Sequence, residues 1–340
     1  MSLMEMIPES KQPLLIVENL KVWFPVGSSL KSIILRNPRN FIRAVDGVSF
    51  NLMRGEILGI IGESGAGKST LGLTIAGVYK PTSGKVLFEG FNVHAADKKT
   101  AMYLRRRIQM IFQDPFESLP PHMTVYEIVK EGIDVHKLAK SNDMKKKMVM
   151  DVLEAVGLPA DRYMYKYPHQ LSGGERQRVS IASAIVLKPK LIIADEPVTM
   201  LDASLRGSLL QLMVNLSHLY EISYIFIMHD LALTRYIANR MAVMYLGQLF
   251  ELGKTEELIS MPLHPYTKAL LSVAPLKKDY RKERIVLKGE IPSPINIPKG
   301  CRFHPRCPYA FDNCSKIQPE LFEVKPNHYV RCLMYENFKQ

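Results

Sequence analysis

The chain has 340 residues, 47% hydrophobic and 23% charged, with 20 Gly, 22 Pro and 4 Cys, a composition that excludes disordered and collagen-like classes. No apolar run approaches the roughly 18 to 20 residues of a membrane span, and the opening MSLMEMIPESKQPLL lacks the features of a secretory leader, so a cytosolic location is expected. The net charge of +12 admits nucleic acid, anionic lipid or a phosphorylated ligand as partner; with 14 basic against 7 acidic residues over 264–340, a basic C-terminal appendage is expected.

From the N-terminus, short β-branched apolar runs alternate with longer helical patterns, which predicts an α/β fold with a largely parallel sheet. Residues 14–22 and 50–52 are predicted early strands, with a long mobile loop between them over 26–43 that holds Gly27, Ser28, Ser29, Pro38 and four basic residues. Residues 56–61 read as a buried strand, 143–156 as a helix stopping near Gly157 and Pro159, and 191–194 and 224–228 as buried central strands. Arg105, Arg106 and Arg107, and Lys145, Lys146 and Lys147, read as solvated helix faces. Beyond about residue 276, Pro292, Pro294 and Pro298 and weak periodicity mark a separate C-terminal segment. At roughly 150 residues per domain the length suggests two.

Between a predicted strand and a predicted helix stands Gly62-Glu63-Ser64-Gly65-Ala66-Gly67-Lys68-Ser69-Thr70, the context that makes a glycine-rich turn a P-loop. Glycines let backbone N–H groups converge on phosphate oxygens, the helix N-terminus adds its positive end, Lys68 neutralises the β and γ phosphates, and Ser69 can hold Mg²⁺, so a purine nucleoside triphosphate is expected. The run Leu191-Ile192-Ile193-Ala194-Asp195-Glu196-Pro197 ends an apolar strand in two carboxylates. Asp195 can reach the Mg²⁺ shell, and Glu196 is placed to polarise water for in-line attack on the γ-phosphate. Leu171-Ser172-Gly173-Gly174-Glu175 opens another helix with a serine and two glycines, which makes a second anion site.

These three motifs together resemble the ATP-binding-cassette family, whose signature is LSGGQ-like. The resemblance implies a P-loop NTPase cassette with a helical subdomain at about 114–184, paired head to tail so that the signature of one chain closes over ATP on the P-loop of another. ATP contacts are then implied for Gly62, Ser64, Gly65, Gly67, Lys68, Ser69, Thr70 and Asp195, for Ser172, Gly173, Gly174 and Glu175, and for Asp202 in the loop that communicates across the pair. Phe24 sits where the family stacks an aromatic on adenine, with Trp23 adjacent. Glu196, Gln113 and His229, the switch histidine of Met228-His229-Asp230, take the catalytic positions, and Mg²⁺ is implied on Ser69, Gln113 and Asp195.

Ala44-Val45-Asp46-Gly47-Val48-Ser49-Phe50, QDPFESLPPHMTV from Gln113, HPYTKALL from His264 and CRFHPRCPYAFDNC from Cys301 resemble, more narrowly, the ATPases of oligopeptide and dipeptide importers. LRRRIQMIFQDP and HDLALTRYIANRMAVMYLGQ look like the second, F-type ATPase of such systems. The resemblance implies an ATPase domain over 1–263 and an importer-type extension over 264–340. It also implies a second ATPase subunit that is a paralogue, two transmembrane permease subunits, an external substrate-binding protein, and a peripheral place on the cytoplasmic face of the membrane. Related importers carry oligosaccharides or nickel. A cassette ATPase acting on nucleic acid through its basic tail is the rival from another class, but neither a second cassette nor a coiled-coil insertion is visible. Pro120-Pro121-His122 departs from the usual Asn-Pro-Arg near the membrane-facing region, which bears on partner or substrate choice rather than on hydrolysis.

Cys301, Cys307, Cys314 and Cys332 are spaced C-x5-C-x6-C-x17-C. A reducing cytosol disfavours disulfides, and zinc sites use tighter pairs. Four thiolates suffice for a [4Fe-4S] cluster, which the importer resemblance also implies, as a structural staple with Arg302, Arg306 and Arg331 offsetting thiolate charge; zinc and uncommitted thiols remain the alternatives.

Overall fold

Apolar residues fill Ile57–Ile61, Leu191–Asp195 and Ser223–Met228 with almost no polar break, and all three form strands buried along their whole length. Only a strand covered on both faces can carry such a run; each fully buried Ile, Val or Leu adds roughly 1.5–3 kcal/mol. The computed structural model describes residues 12–26, 40–114, 118–274 and 285–338, so most of the loop expected over 26–43 and residues 115–117 lie outside the described residues.

In chain order the strands are β1 Leu15–Pro25, β2 Phe41–Leu52, β3 Ile57–Ile61, β4 Ser83–Phe88, β5 Phe91–Asn92, β6 Ile108–Ile111, β7 Leu191–Asp195, β8 Ser223–Met228, β9 Arg240–Tyr245, β10 Gln248–Lys254, β11 Phe322–Lys325 and β12 His328–Val330. The α-helices are α1 Lys68–Ile75, α2 Lys98–Arg107, α3 Val125–Val135, α4 Asn142–Ala155, α5 Ala160–Tyr163, α6 Gly173–Ile185, α7 Ala203–Tyr220, α8 Leu231–Ile237, α9 Thr255–Ser260 and α10 Pro265–Val273. No helix among the described residues is long and apolar enough to cross a membrane.

The chain divides into two compact units. The first comprises Met1–Leu14, Leu52–Ile57 and Phe88–Phe226. Its strands run in the order β8-β7-β6, with β6 and β7 parallel. Beside them α3, α4 and α6 pack together, α3 through Val125, Ile128, Val129 and Ile133 and α4 through Val149, Val152 and Leu153, at helical spacing. A capping box between Thr124 and Glu127 starts α3, and Ser141 caps α4.

The second unit comprises Leu15–Asn51, Leu58–Leu87 and Ile227–Gln340. Its strands run β11-β12-β10-β9-β3, parallel between β3 and β9 and antiparallel from β9 outward, while β2-β1-β4 form another sheet. One expectation is corrected. The strand expected at 50–52 begins at Phe41, because Val48, Phe50 and Leu52 alternate inward behind a more polar start. Beyond the Pro-rich stretch, β11 and β12 extend the sheet from the edge of β10, with Val330 opposite Glu251 and Tyr329 opposite Leu252.

Candidate functional site

Strand β3 delivers the chain into residues 62–67, and the backbone there admits only glycine at two points. A Cβ on Gly62 would stand 2.1 Å from the Met244 carbonyl oxygen, and one on Gly67, at φ 98°, would stand 1.9 Å from that of Ala44. Gly65, at φ 76°, faces open space. The buried Lys68 side chain donates from Nζ to the Gly62 and Glu63 carbonyls at 2.8 Å and 3.1 Å, tying the helix start back across the turn. No side chain caps α1, so its N-terminus is built to meet an anion. Ser64 and Ser69 are exposed and Thr70 half-buried. Phe24 lies in β1, half-buried, edge-on to Tyr79 at 5.4 Å between ring centroids.

In the first unit β7 ends at buried Asp195, and Glu196 follows with φ 46°. The left-handed conformation is unfavourable for a glutamate, and such strain collects at functional positions. Glu196 Oε2 accepts from Gln113 Nε2 at 3.2 Å and from Thr199 Oγ1 at 3.1 Å. Arg206 pins the same loop by donating to the carbonyls of Leu201, at 2.9 Å, and Thr199, at 3.4 Å. Thr199 and Arg206 escaped the sequence reading, since neither belongs to a motif with a mechanism of its own.

Ser172 caps α6 in a reciprocal box: its backbone N–H donates to Glu175 Oε2 at 2.7 Å and its Oγ accepts from Glu175 N–H. Tyr163 O–H donates to Glu175 Oε1 at 2.6 Å and holds that carboxyl below the usual range. The Glu175 carboxylate is thus engaged at its own helix end. Gly173 and Gly174 lack positive φ, and a Cβ on either meets only Leu201 or Leu205 at 3.5 Å, an ordinary contact. Asp202 is the exposed N-cap residue of α7. In the second unit His229 follows β8 and is exposed, and Asp230 caps α8 by accepting from Ala232 and Leu233 N–H groups at 2.8 Å and 3.1 Å.

All four cysteines are free thiols, with Cys301, Cys314 and Cys332 buried and Cys307 half-buried. Among the described residues no group of three or more His, Cys, Asp or Glu is placed to hold a metal ion, so the structure does not support the [4Fe-4S] cluster expected from the sequence, although the four cysteines lie within electrostatic reach of one another. Burial above all pushes Cys301 up to about 11 and Cys332 to about 12, and the neighbouring cysteines add to the effect, so these thiols are neutral. Cys332 packs with Phe322 and Val330 as a small apolar residue. The arginines expected to offset thiolate charge are also engaged elsewhere. Arg302 pairs with Asp46, Arg306 with Glu63, and Arg331 donates to the carbonyls of Leu249 and Pro319.

A strand leading into a glycine-forced turn and an uncapped helix start, together with a strand ending in paired carboxylates, defines a P-loop nucleotide-binding protein of the α/β class. The ABC transporter family profile matches residues 45–199, and that of the Oligopeptide/dipeptide transporter C-terminal region matches residues 250–314. The chain is 45% identical to the oligopeptide transport ATP-binding protein AppF of Bacillus subtilis, over 97% of this chain and 100% of that one. It is 43% identical to the dipeptide transport ATP-binding protein DppF of Haemophilus influenzae, over 94% and 96%. Among solved structures, cbiO1 from Clostridium perfringens, part of the ABC transporter complex cbiONQ, superposes with TM-score 0.62 at 29% identity over 74% of this chain and 92% of that one. The cassette MJ0796, a dimer in a post-hydrolysis state bound to ADP and Pi, matches with TM-score 0.62 at 28% identity over 71% and 98%. The chain belongs to the ABC transporter ATP-binding proteins, in the group that carries the oligopeptide/dipeptide C-terminal region.

Proposed function

We propose that this chain is the ATP-hydrolysing subunit of an oligopeptide or dipeptide importer, working at the membrane surface with transmembrane permease subunits and an external substrate-binding protein. Its ATPase partner in this reading is a paralogue, joined head to tail. Residues 1–263 act as the cassette, with the helical part at about 114–184, and 264–340 as the importer-type extension. The relatives named for oligopeptide and dipeptide transport, similar over nearly the whole chain, favour peptide over oligosaccharide or nickel. The inward commitment of Arg302, Arg306 and Arg331 disfavours a nucleic-acid-binding tail.

In this reading Lys68 and the N–H groups at the start of α1 hold the phosphates, and Gly62, Gly65 and Gly67 let the backbone approach them. The donor set of Ser69, Gln113 and Asp195 is all oxygen, which suits Mg²⁺; when bound, the ion supplies neutralisation of charge on the β and γ phosphates. Glu196 orients a water and accepts its proton as the water oxygen bonds to the γ-phosphorus and the bond to the β-phosphate oxygen breaks. His229 contacts the γ-phosphate, Phe24 the adenine, and Asp202 the paired cassette.

The observation that carries the pairing is the pair Gly173 and Gly174, whose missing side chains this chain does not itself require. Half-buried glycine at a helix start that needs neither positive φ nor internal space fits close approach by another molecule, here ATP on the opposite cassette. The test is ATP-dependent dimerisation, followed by light scattering, of this chain mixed with its paralogue: dimers with ATP and monomers with ADP support the reading. Full ATP turnover by this chain as a monomer overturns it.

A further inference from the structure

The cysteine-rich loop over 301–307 reaches the phosphate-binding turn by two routes within the second unit. Arg306, its side chain largely buried, donates to both carboxylate oxygens of Glu63, at 2.7 Å and 3.2 Å, and to Tyr245 Oη at 3.5 Å. Tyr266 Oη accepts from the Glu63 backbone N–H at 2.9 Å, so this residue is gripped through side chain and main chain together. Along the second route Arg302 forms a buried ion pair with Asp46 and donates to the Leu246 carbonyl. The next residue, Gly247, donates its N–H to the Ala66 carbonyl at 2.9 Å and accepts from Asp46 N–H at 2.8 Å. Both arginines adjoin a cysteine, as Cys301-Arg302 and Arg306-Cys307.

Glu63 is a carboxylate inside a turn that has to receive a triphosphate. An unpaired anion there opposes the ligand, whereas a bidentate arginine neutralises it and fixes its direction. We propose that Arg306 is a positioning residue for nucleotide binding, acting through Glu63, and that the loop over 301–307 thereby sets the affinity of the phosphate-binding turn. The proposal rests on the reading of residues 62–70 as the ATP site. Coupling is reciprocal, so bound nucleotide in turn steadies the loop.

The test titrates Mg-ATP into the full chain by calorimetry for wild type, R306Q, R306Q with E63Q, and K68A. R306Q is expected to bind ATP about threefold to tenfold more weakly, and addition of E63Q to bring affinity back to within about twofold of wild type, because it removes the unpaired charge. Wild-type affinity in R306Q, or no recovery in the double variant, overturns the proposal. Failure of wild type to bind ATP, or wild-type affinity in K68A, instead overturns the ATP-site reading beneath it. Amide hydrogen exchange over 301–307 in the wild-type chain serves if R306Q does not fold. Slowing on addition of Mg-ATP supports the coupling, and unchanged exchange in a chain that binds ATP overturns it.

Discussion

Gln113 donates from Nε2 to Glu196 Oε2 at 3.2 Å, joining two residues 83 positions apart in sequence at the carboxylate proposed to orient water. Glu196→Gln removes the proton acceptor while keeping nearly the same shape. ATP affinity should stay within about twofold, and phosphate release in the assembled transporter should fall about 10²- to 10⁴-fold. Ordinary steady-state release by that variant removes Glu196 from the catalytic role.

Gly173→Ala separates an internal need for glycine from an external one. The added Cβ meets only Leu201 Cδ2 at 3.5 Å. Melting of the isolated chain should hold, or rise by up to about 1 kcal/mol from helix propensity. ATP-dependent pairing should weaken. Loss of stability without loss of pairing would make the glycine a packing residue.

Asp46 and Arg302 form an ion pair in which both side chains are almost fully buried, at 9% and 2% exposure. Asp46→Asn leaves the arginine charge uncompensated and should cost about 3–5 kcal/mol in chemical denaturation. Replacing both partners with apolar residues of similar volume should cost less. A single-variant cost within about 0.5 kcal/mol of zero would show that the pair does not hold the extension in place.

Burial pushes His264 down from 6.5 to about 3, with Lys268 and Arg331 adding to the effect. Its Nδ1 accepts from Tyr266 N–H at 3.0 Å, so the folded protein keeps this ring neutral. Below about pH 6.5 the unfolded chain takes up a proton that the folded one refuses, and stability falls as pH drops toward 3, by at most about 1.4 kcal/mol per unit. Asn caps the helix without titrating. His264→Asn should therefore flatten the stability profile between pH 6 and 4 by one proton's slope, measured by urea denaturation across that range; an unchanged slope would show that His264 does not carry it.

Much of the cassette is legible in the sequence. The central strands follow from apolar runs at 57–61, 191–195 and 223–228, and the helix expected at 143–156 is α4, Asn142–Ala155. Two structural features escaped the sequence for reasons that lie in pairing. The start of β2 is polar enough to pass for loop, and becomes strand because its later residues alternate into a core. Strands β11 and β12 are four and three residues long, too short to show a period, and exist because β10 offers them an edge.

The phosphate-binding turn, the carboxylate pair and the signature helix start are visible in sequence because each depends on neighbours along the chain. Glycines, a lysine and a strand-to-helix transition at fixed spacing are enough to shape a nest of N–H groups. Cysteine spacing was a weaker guide, since metal binding depends on where four thiols meet in space; of the four, Cys332 packs against Phe322 and Val330. Which arginine neutralises Glu63, 243 residues away, and which backs the turn through Leu246 was decided by tertiary structure alone. An ion pair across such a separation leaves no local pattern; it exists only once the sheet has brought the two ends of the chain together.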